Sequence, residues 1–439
     1  MTHPSPSSRY GGAFATVTSL FFLWGFLTVF VDALIPRLRL IFELSYAESG
    51  LVQVAFFTAY GLVSIPAGLL LPRIGYQRGM MLGLFTMAAG CLLFWPAAES
   101  RVFGLFLGGL FVLAAGMTIL QVAANPYVAV LGPPDGASSR LNLAQAFNSL
   151  GTTIAPILSA RLILSDGIQS AEAIRIMPLD AKEIYFAAEA AAVRTPFLTL
   201  AIAMALLAVV LRFIRLPEII SKATSGNFSA ALANKRLMLG ALGIFIYVGA
   251  EVTIGSYLVH YLMSMDIATA IREHATMRAI TSQFIDNLDT AFGVSVVGTY
   301  VAVYWGGAMV GRFIGALLTK LFRPGLILSI FGGSAIGLLL LSMSTDGFPA
   351  MWSILGVGLF NSIMFPTIFT LAIEKLGEHQ PQGSGILCSA IVGGAVIPPL
   401  FGKLVDWSAF KPALALLVLC YAFILFYGHY TGRDAAKTA

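Results

Sequence analysis

Two carboxylic acids stand deep inside apolar stretches of this chain. Asp32 lies in "FFLWGFLTVFVDALIP" and Glu251 lies in "IYVGAEVTIGSYLVHY". An ionised side chain at the centre of a membrane-spanning helix costs about 2.5–3.5 kcal/mol on insertion scales. Removal from water favours the neutral form of a carboxylic acid, so such a group can take up a proton on one side of a membrane and release it on the other. We therefore predict a proton-binding role for Asp32 and a functional role for Glu251.

A simpler interpretation of Asp32 stays open at this point. The residue lies one turn before Pro36, which cannot continue the helical hydrogen-bond ladder. An acid near the outer membrane interface could extend towards water or pair with Arg37 or Arg39.

Amide side chains form stripes on two apolar segments. Gln121 and Asn125 are four residues apart, and Gln145 and Asn148 are three apart, so each pair lies on one face of a helix. An amide both donates and accepts hydrogen bonds, as a sugar hydroxyl does. We predict that these four residues bind a polar substrate. The alternative is that the stripes join neighbouring helices by mutual hydrogen bonds.

Two later segments add further candidates for substrate contact. Tyr247 lies four residues before Glu251, and Asn361 lies four residues before Phe365, so each pair shares a helical face. Trp24 and Phe365 could stack on the apolar face of a sugar ring, although aromatic side chains in membrane helices also serve as plain packing. Pro366 is predicted to interrupt its helix.

The composition requires lipid around most of the chain. Hydrophobic residues make up 58% of the 439 residues and charged residues only 11%, so the charges are too few to cover a water-exposed surface. The mean hydropathy of +0.86 agrees. The first apolar stretch is too long for a signal peptide and is predicted to remain as a spanning helix. The net charge of +5 is not clustered, so we expect no nucleic acid partner.

Apolar runs of about 20 residues predict an all-α integral membrane protein with twelve transmembrane helices. The predicted spans are 14–36, 47–71, 79–97, 102–130, 141–164, 195–215, 237–263, 298–322, 325–344, 350–374, 384–404 and 412–430. Between the fifth and sixth spans, "AEAIRIMPLDAKEIYFAAEAAAV" is compatible with a short surface helix. The motifs Gly393–Gly394 and Pro398–Pro399 predict a soft eleventh helix.

A polar, basic loop at 216–236 divides the spans six and six. This predicts an N-terminal half at 1–215 and a C-terminal half at 237–439, as in the two six-helix pseudo-repeats of the major facilitator fold. Because Lys and Arg favour the cytoplasmic side, their distribution places both termini in the cytoplasm. Arg140, Arg312 and Glu374 are assigned mainly as such topology signals, with a cytoplasmic gate as the alternative.

A loop motif repeats between the two halves. The segment "GLLLPRIGYQRGMMLG" (68–83) matches the facilitator pattern G-x-x-x-D-R-x-G-R-R at Gly68, Arg73, Gly75 and Arg78, but has Pro72 where the pattern has an acid. A weaker echo, "GRFIGALLTKLFRPG", occurs at 311–325. The repetition supports two related halves.

Longer motifs resemble the fucose:proton symporter family of the major facilitator superfamily, which includes glucose and galactose permeases. The segments that carry the resemblance are "FFLWGFLTVFVDALIP", "CLLFWPAAE", "LQVAANPYVAVLGPP", "SSRLNLAQAFNSLGT" and "FPTIFTLAIEKLG". The resemblance implies that Asp32 carries the proton and that Gln145 and Asn148 bind sugar. Fucose symporters have a glutamate where this chain has Gln121 and a glutamine where it has Glu251, which favours the glucose/galactose branch. We hypothesise that Glu251 supplies the acid that position 121 lacks.

The predicted function is proton-coupled hexose symport by alternating access, of the glucose/galactose or fucose type, in a bacterial plasma membrane. The expected partners are a small sugar and the lipid bilayer, the expected state is a monomer, and no cofactor is expected beyond the coupling ion. That ion is H⁺ or, as an alternative, Na⁺. The chain contains no HExxH, GxSxG or P-loop motif, so an enzyme is not expected. A sugar sensor is a further, weaker alternative.

Overall fold

The computed structural model describes residues 6–32, 46–100, 102–162, 176–214, 216–217, 228–285 and 287–436. These residues form eighteen α-helices. In chain order they are α1 Pro6–Asp32, α2 Tyr46–Ile74, α3 Tyr76–Ser100, α4 Phe103–Val130, α5 Ala137–Leu162, α6 Leu179–Phe213, α7 Phe228–Ala233, α8 Lys235–Ser264, α9 Ile267–Glu273, α10 Ala275–Thr281, α11 Gly293–Gly298, α12 Val301–Leu321, α13 Pro324–Ser344, α14 Gly347–Asn361, α15 Met364–Ile373, α16 Gln380–Ser389, α17 Gly393–Trp407 and α18 Phe410–Ala436. Short 3₁₀ turns lie at Pro134–Gly136, Gly377–His379 and Ala390–Val392.

Eleven helical segments within the described residues are long and apolar enough to cross a membrane. They correspond to eleven of the twelve predicted spans, and the helix pairs α14–α15 and α16–α17 each form one of them. The remaining predicted span is α5, whose 26 residues measure about 39 Å at 1.5 Å per residue. The amides of α5 lower its apolar character. The predicted all-α membrane fold is therefore confirmed.

Two local expectations need correction. The predicted surface helix before the sixth span is the first part of α6, which runs without a break over 35 residues from Leu179. The tenth span breaks at Ser362–Ile363, not at Pro366 itself. Pro366 lies in the first turn of α15, and its missing N–H removes the bond that would reach back to Ser362. The eleventh span, predicted to be soft, contains a 3₁₀ turn at Ala390–Val392 directly before Gly393, and Pro398–Pro399 lie inside α17. Its softness stays a prediction.

The chain divides into two compact units. The first comprises Met1–Gly132, Phe147–Ala233 and Lys375–Ser389, and the second comprises Pro133–Ala146, Asn234–Glu374 and Ala390–Ala439. The predicted boundary at 216–236 remains a prediction from sequence.

In the first unit, α4 packs against α2, α3 and α16. Small residues allow the backbones of α3 and α4 to approach closely, since a Cβ on Gly83 would lie 2.8 Å from the Leu120 amide nitrogen. Gln77, at the start of α3, donates to the carbonyls of Leu211 (2.7 Å) and Ile214 (2.8 Å). These bonds satisfy backbone acceptors at the end of α6.

In the second unit, α8 packs against α15, α17 and α18, and α12 packs against α14. Arg236, at the start of α8, donates from Nε to the Leu371 carbonyl at 2.7 Å and forms an ion pair with Glu374. The N-terminal part of α5 also belongs to this unit. Ser139 on α5 donates to the Ala316 carbonyl of α12 at 2.6 Å.

Candidate functional site

Of the two predicted coupling acids, Glu251 is the one whose side-chain surroundings the structure describes. It lies midway along α8, and its side chain is only 14% exposed. Its Oε1 has no hydrogen-bond partner among the described residues. Buried carboxylate oxygens are normally hydrogen-bonded, so this one has unused capacity to bind a proton or a ligand.

Arg312 is the cation that faces Glu251. Its Nη2 lies 4.0 Å from Oε1 of Glu251, and its side chain is 13% exposed. The sequence interpretation treated Arg312 as a topology signal, but it lies midway along α12 and is mostly buried. A signal was present in the sequence: a lone cation deep in an apolar run requires an anion, and Glu251 was the available partner.

Tyr247, Tyr304 and Asn361 form a hydrogen-bond network around Glu251. The Asn361 Nδ2 donates to the Tyr304 hydroxyl at 2.7 Å, and that hydroxyl donates to the Glu251 backbone carbonyl at 3.4 Å. The Tyr247 hydroxyl donates to the Asn361 carbonyl at 3.0 Å. The Tyr247 hydroxyl also lies close enough to the Glu251 carboxylate for a side-chain hydrogen bond. The network connects α8, α12 and the end of α14.

Gln145 joins this group through its backbone. Arg312 donates from Nη1 to the Gln145 carbonyl at 3.5 Å and from Nε to the Ser362 carbonyl at 3.2 Å. The Gln145 side chain is buried. The second unit therefore brings together four of the predicted residues: Gln145, Tyr247, Glu251 and Asn361. Phe365 is also buried and packs on Phe369, with 5.9 Å between ring centroids.

In the first unit, Gln121 and Asn125 lie on a buried part of α4. Gln121 Nε2 donates to the hydroxyl of Tyr60 on α2, a partner that the sequence did not suggest. Asn125 makes no conventional hydrogen bond within the described part of the chain, although the weak thiol donor of Cys388 lies close enough to interact with it. Its amide thus retains hydrogen-bonding capacity in a buried position.

Asn148 and Trp24 lie where α5 meets α1. Asn148 Nδ2 donates to the Phe21 carbonyl at 2.9 Å, and the rings of Phe21 and Trp24 are 4.2 Å apart. Gly25 leaves room for the Asn148 side chain, because a Cβ there would lie 2.6 Å from Nδ2. The Gln121 bond thus attaches α4 to α2, and the Asn148 bond attaches α5 to α1.

Asp32 is the last residue of α1. Its side chain lies outside the described part of the structure, as do Pro36, Arg37 and Arg39. Its assignment as a proton-coupling group therefore stays a prediction. In the described residues, no group of three or more His, Cys, Asp or Glu side chains could hold a metal ion.

Comparison with known proteins places the chain in a family of transporters. Residues 11–397 match the family described as the Major Facilitator Superfamily. The chain is 47% identical over 433 residues to the "Glucose/galactose transporter" of Brucella abortus, covering 97% of this chain and 96% of the relative. It is 34% identical to the "L-fucose-proton symporter" of Escherichia coli, covering 98% and 95%.

A solved structure has the same fold. The crystal structure of FucP, a Major Facilitator Superfamily transporter in the outward conformation, superposes with a TM-score of 0.85 at 32% sequence identity. The match covers 96% of this chain and 99% of FucP.

Proposed function

The chain belongs to the major facilitator superfamily, and from that premise we propose that it is a proton-coupled hexose symporter working by alternating access. Family membership makes it a membrane transporter and not an enzyme. We place it in a bacterial plasma membrane with both termini in the cytoplasm, as a monomer that needs no cofactor other than its coupling ion.

The observation that carries the substrate class is the extent of the sequence similarity. A relative named for glucose and galactose transport is 47% identical over almost the whole chain, and one named for L-fucose and proton symport is 34% identical. The buried amides Gln121, Asn125 and Asn148 supply donors and acceptors of the kind that sugar hydroxyls require. The higher identity supports glucose or galactose over fucose.

Proton coupling is supported by the placement of Glu251. It is a buried carboxylate midway along a spanning helix, and one of its oxygens has no hydrogen bond. A single proton added there removes a charge from a poorly hydrated position. We propose that Glu251 acts with Asp32 in coupling and so supplies the acid absent at Gln121.

The proposed cycle joins proton and sugar to one conformational change. Facing out, the transporter binds a proton on an acid and a sugar on the amides. Neutralising the acid lowers the cost of closing apolar surface around it. Facing in, both ligands leave, and the proton gradient drives accumulation.

A panel of labelled sugars tests this proposal. Purified protein in liposomes is given D-glucose, D-galactose or L-fucose under an imposed pH gradient, an imposed Na⁺ gradient, or neither. We expect an inward proton gradient to concentrate glucose or galactose at least tenfold more than a Na⁺ gradient does. Accumulation that follows Na⁺ at constant pH would assign Na⁺ as the coupling ion. The absence of both uptake and counterflow for every sugar would overturn the proposed function.

A further inference from the structure

Arg312 occupies a position that neither topology nor sugar binding explains. It lies midway along α12, with only 13% of its side chain exposed. Lys320, at the end of α12, and Arg323, at the start of α13, are exposed by contrast. A buried guanidinium carries a large desolvation penalty. Its contacts must therefore offset that penalty.

The contacts of Arg312 reach three separate elements. Its Nη2 faces the Glu251 carboxylate on α8 at 4.0 Å, its Nη1 donates to the Gln145 carbonyl on α5 at 3.5 Å, and its Nε donates to the Ser362 carbonyl at 3.2 Å. Ser362 follows α14 and lies in the break before α15, where Pro366 leaves carbonyl acceptors free of the helical ladder. One rigid guanidinium thus joins three chain segments, as its planar fork of donors allows.

Glu251 depends on Arg312 for its only charged contact among the described residues. The titratable groups around Glu251 are Arg312 and Tyr304 of α12, Tyr247 of its own helix and Tyr421 of α18. The hydroxyls of Tyr247 and Tyr304 donate to backbone carbonyls. α17 carries Lys403 and Asp406 only in its last turns. The charge state of Glu251 is therefore balanced by one cation.

The attachment of α5 depends on the same cation. The N-terminal part of α5 belongs to the second unit, where Asn142 donates to Thr367 Oγ1 at 3.2 Å and Ser138 pairs with Thr370 Oγ1 at 2.6 Å. These are bonds between neutral groups, which are weaker than charge-assisted bonds. The bond from Arg312 to Gln145 is charge-assisted, and it lies on the same guanidinium that faces Glu251.

We propose that Arg312 is a positioning residue that links the protonation of Glu251 to the attachment of residues 137–146 of α5. With Glu251 charged, the guanidinium stays between the carboxylate and the Gln145 carbonyl. When Glu251 takes up a proton, the guanidinium loses the attraction of that carboxylate and withdraws from this arrangement, which loosens the N-terminal end of α5. This role rests on the proposed function. It links protonation of Glu251 to α5, the helix that carries the predicted sugar-binding residues Gln145 and Asn148.

Hydrogen exchange measured by mass spectrometry tests this link without requiring transport. The full-length protein in nanodiscs is followed in peptides covering 137–146, with rates corrected for intrinsic chemical exchange at each pH. We expect Arg312→Gln and Glu251→Gln to speed exchange in this segment at least fivefold. The matched control Arg323→Gln, an exposed arginine of the same unit, should leave the rate unchanged. In the wild-type protein the corrected rate should rise as the pH falls, and this pH dependence should be absent in Glu251→Gln.

Transport provides the second readout. In liposomes, Arg312→Gln should retain counterflow within about threefold of wild type but lose at least tenfold in accumulation driven by a pH gradient. Arg312→Lys keeps the charge but not the planar fork of donors. Its accumulation should therefore lie between that of the wild type and that of Arg312→Gln.

Two results would overturn the inference. One is unchanged exchange at 137–146 in both Glu251→Gln and Arg312→Gln, and the other is a wild-type pH dependence that persists in Glu251→Gln. If Arg312→Gln does not fold, Glu251→Gln decides alone, because it keeps Arg312 in place. If the wild-type protein carries no sugar, the proposed function fails while the exchange measurement still decides the role of Arg312.

Discussion

Glu251 of α8 and Arg312 of α12 form a mostly buried pair of opposite charges, with 4.0 Å between Oε1 and Nη2. The cost of burying a charge singled out Glu251 from the sequence, because an acid in an apolar run needs a reason. The same rule applied to Arg312, but its place in an echo of the loop motif offered a simpler explanation. Sequence spacing relates residues on one helix, whereas this pair joins α8 to α12. Its recognition therefore required the tertiary structure.

Replacing Glu251 tests its part in coupling. Glutamine keeps the size of the side chain but cannot exchange a proton, so Glu251→Gln should lose at least tenfold in sugar accumulation driven by a pH gradient. Counterflow, which needs no net proton movement, should persist. The measurement is uptake and counterflow in the same liposome preparation.

Glu378→Gln is the matched control, since Glu378 is exposed in the turn before α16. Its accumulation should equal that of the wild type. Unchanged accumulation in Glu251→Gln would remove Glu251 from the coupling scheme.

The Asn361 network should contribute to stability independently of transport. Asn361→Leu removes the amide that donates to the Tyr304 hydroxyl, which is buried with its helix and cannot reach water instead. The Tyr304 hydroxyl keeps its bond to the Glu251 carbonyl. The loss is therefore one buried hydrogen bond, worth about 0.5–1.5 kcal/mol, and the melting temperature in detergent should fall by a few degrees.

Ser408→Ala offers a comparison, because that hydroxyl is exposed and bonds locally to Leu404. It should change the melting temperature by less than one third as much. If Asn361→Leu and Ser408→Ala lowered the melting temperature equally, the buried network would not contribute to stability as proposed.

At the scale of elements, the length of the apolar runs predicted the positions of the spanning helices well, but it predicted the breaks within those helices less well. A run of about 20 apolar residues fixes the existence of a helix because lipid leaves the backbone no other partner. Pro366 indicated a break, but the break itself lies at Ser362–Ile363, since proline removes a bond to the preceding turn. The extension of α6 back to Leu179 was missed because its polar first part reads as an interfacial helix.

Gly68 and Gly385 mark a close contact between α2 and α16. A Cβ on Gly68 would lie 2.8 Å from the Pro381 carbonyl oxygen, and one on Gly385 would lie 2.8 Å from the Ser64 carbonyl oxygen. Since both obstacles are backbone atoms, a larger side chain must separate the helices. Gly68→Val and Gly385→Val should each destabilise the protein by about 1–3 kcal/mol, as measured by thermal unfolding.

Gly108 of α4 provides the control for this substitution. A Cβ there would meet nothing within 4 Å, so Gly108→Val meets no obstacle, and helix propensity slightly favours valine over glycine. If Gly68→Val were as stable as Gly108→Val, the close contact would not hold these helices together. The sequence suggested Gly68 only as part of a loop motif, because its contact partner lies more than 300 residues away.

At the scale of the whole molecule, the distribution of Lys and Arg predicts which side each loop faces. The three native cysteines, Cys91, Cys388 and Cys420, are free and buried. Their low accessibility makes the chain suitable for labelling at introduced cysteines. The predicted orientation places Ser282 outside and Glu378 inside, and both residues are exposed.

A membrane-impermeant thiol reagent added to intact cells should label Ser282→Cys and not Glu378→Cys. After permeabilisation, both should be labelled. The unmodified protein reports the background of the native cysteines. The opposite labelling pattern would invert the topology and the direction of the proposed cycle.

Which sugar and which ion are transported is a property of the whole molecule, because the proposed cycle moves the two together. The sequence supplied the class of protein and the candidate residues, since both follow from polarity in an apolar setting. It could not supply the sugar, which depends on contacts made by several helices at once. The 47% identity to a glucose/galactose transporter narrows that choice without deciding it.

Sugar-evoked proton movement tests the central claim most directly. Galactose or glucose is added to weakly buffered liposomes containing the protein, and a trapped pH-sensitive dye records the internal pH without any imposed gradient. We predict that sugar entry acidifies the interior in the wild type and that Asp32→Asn and Glu251→Gln abolish the signal while retaining counterflow. Sugar entry by the wild type with no change in internal pH, or an undiminished signal in both variants, would contradict the account.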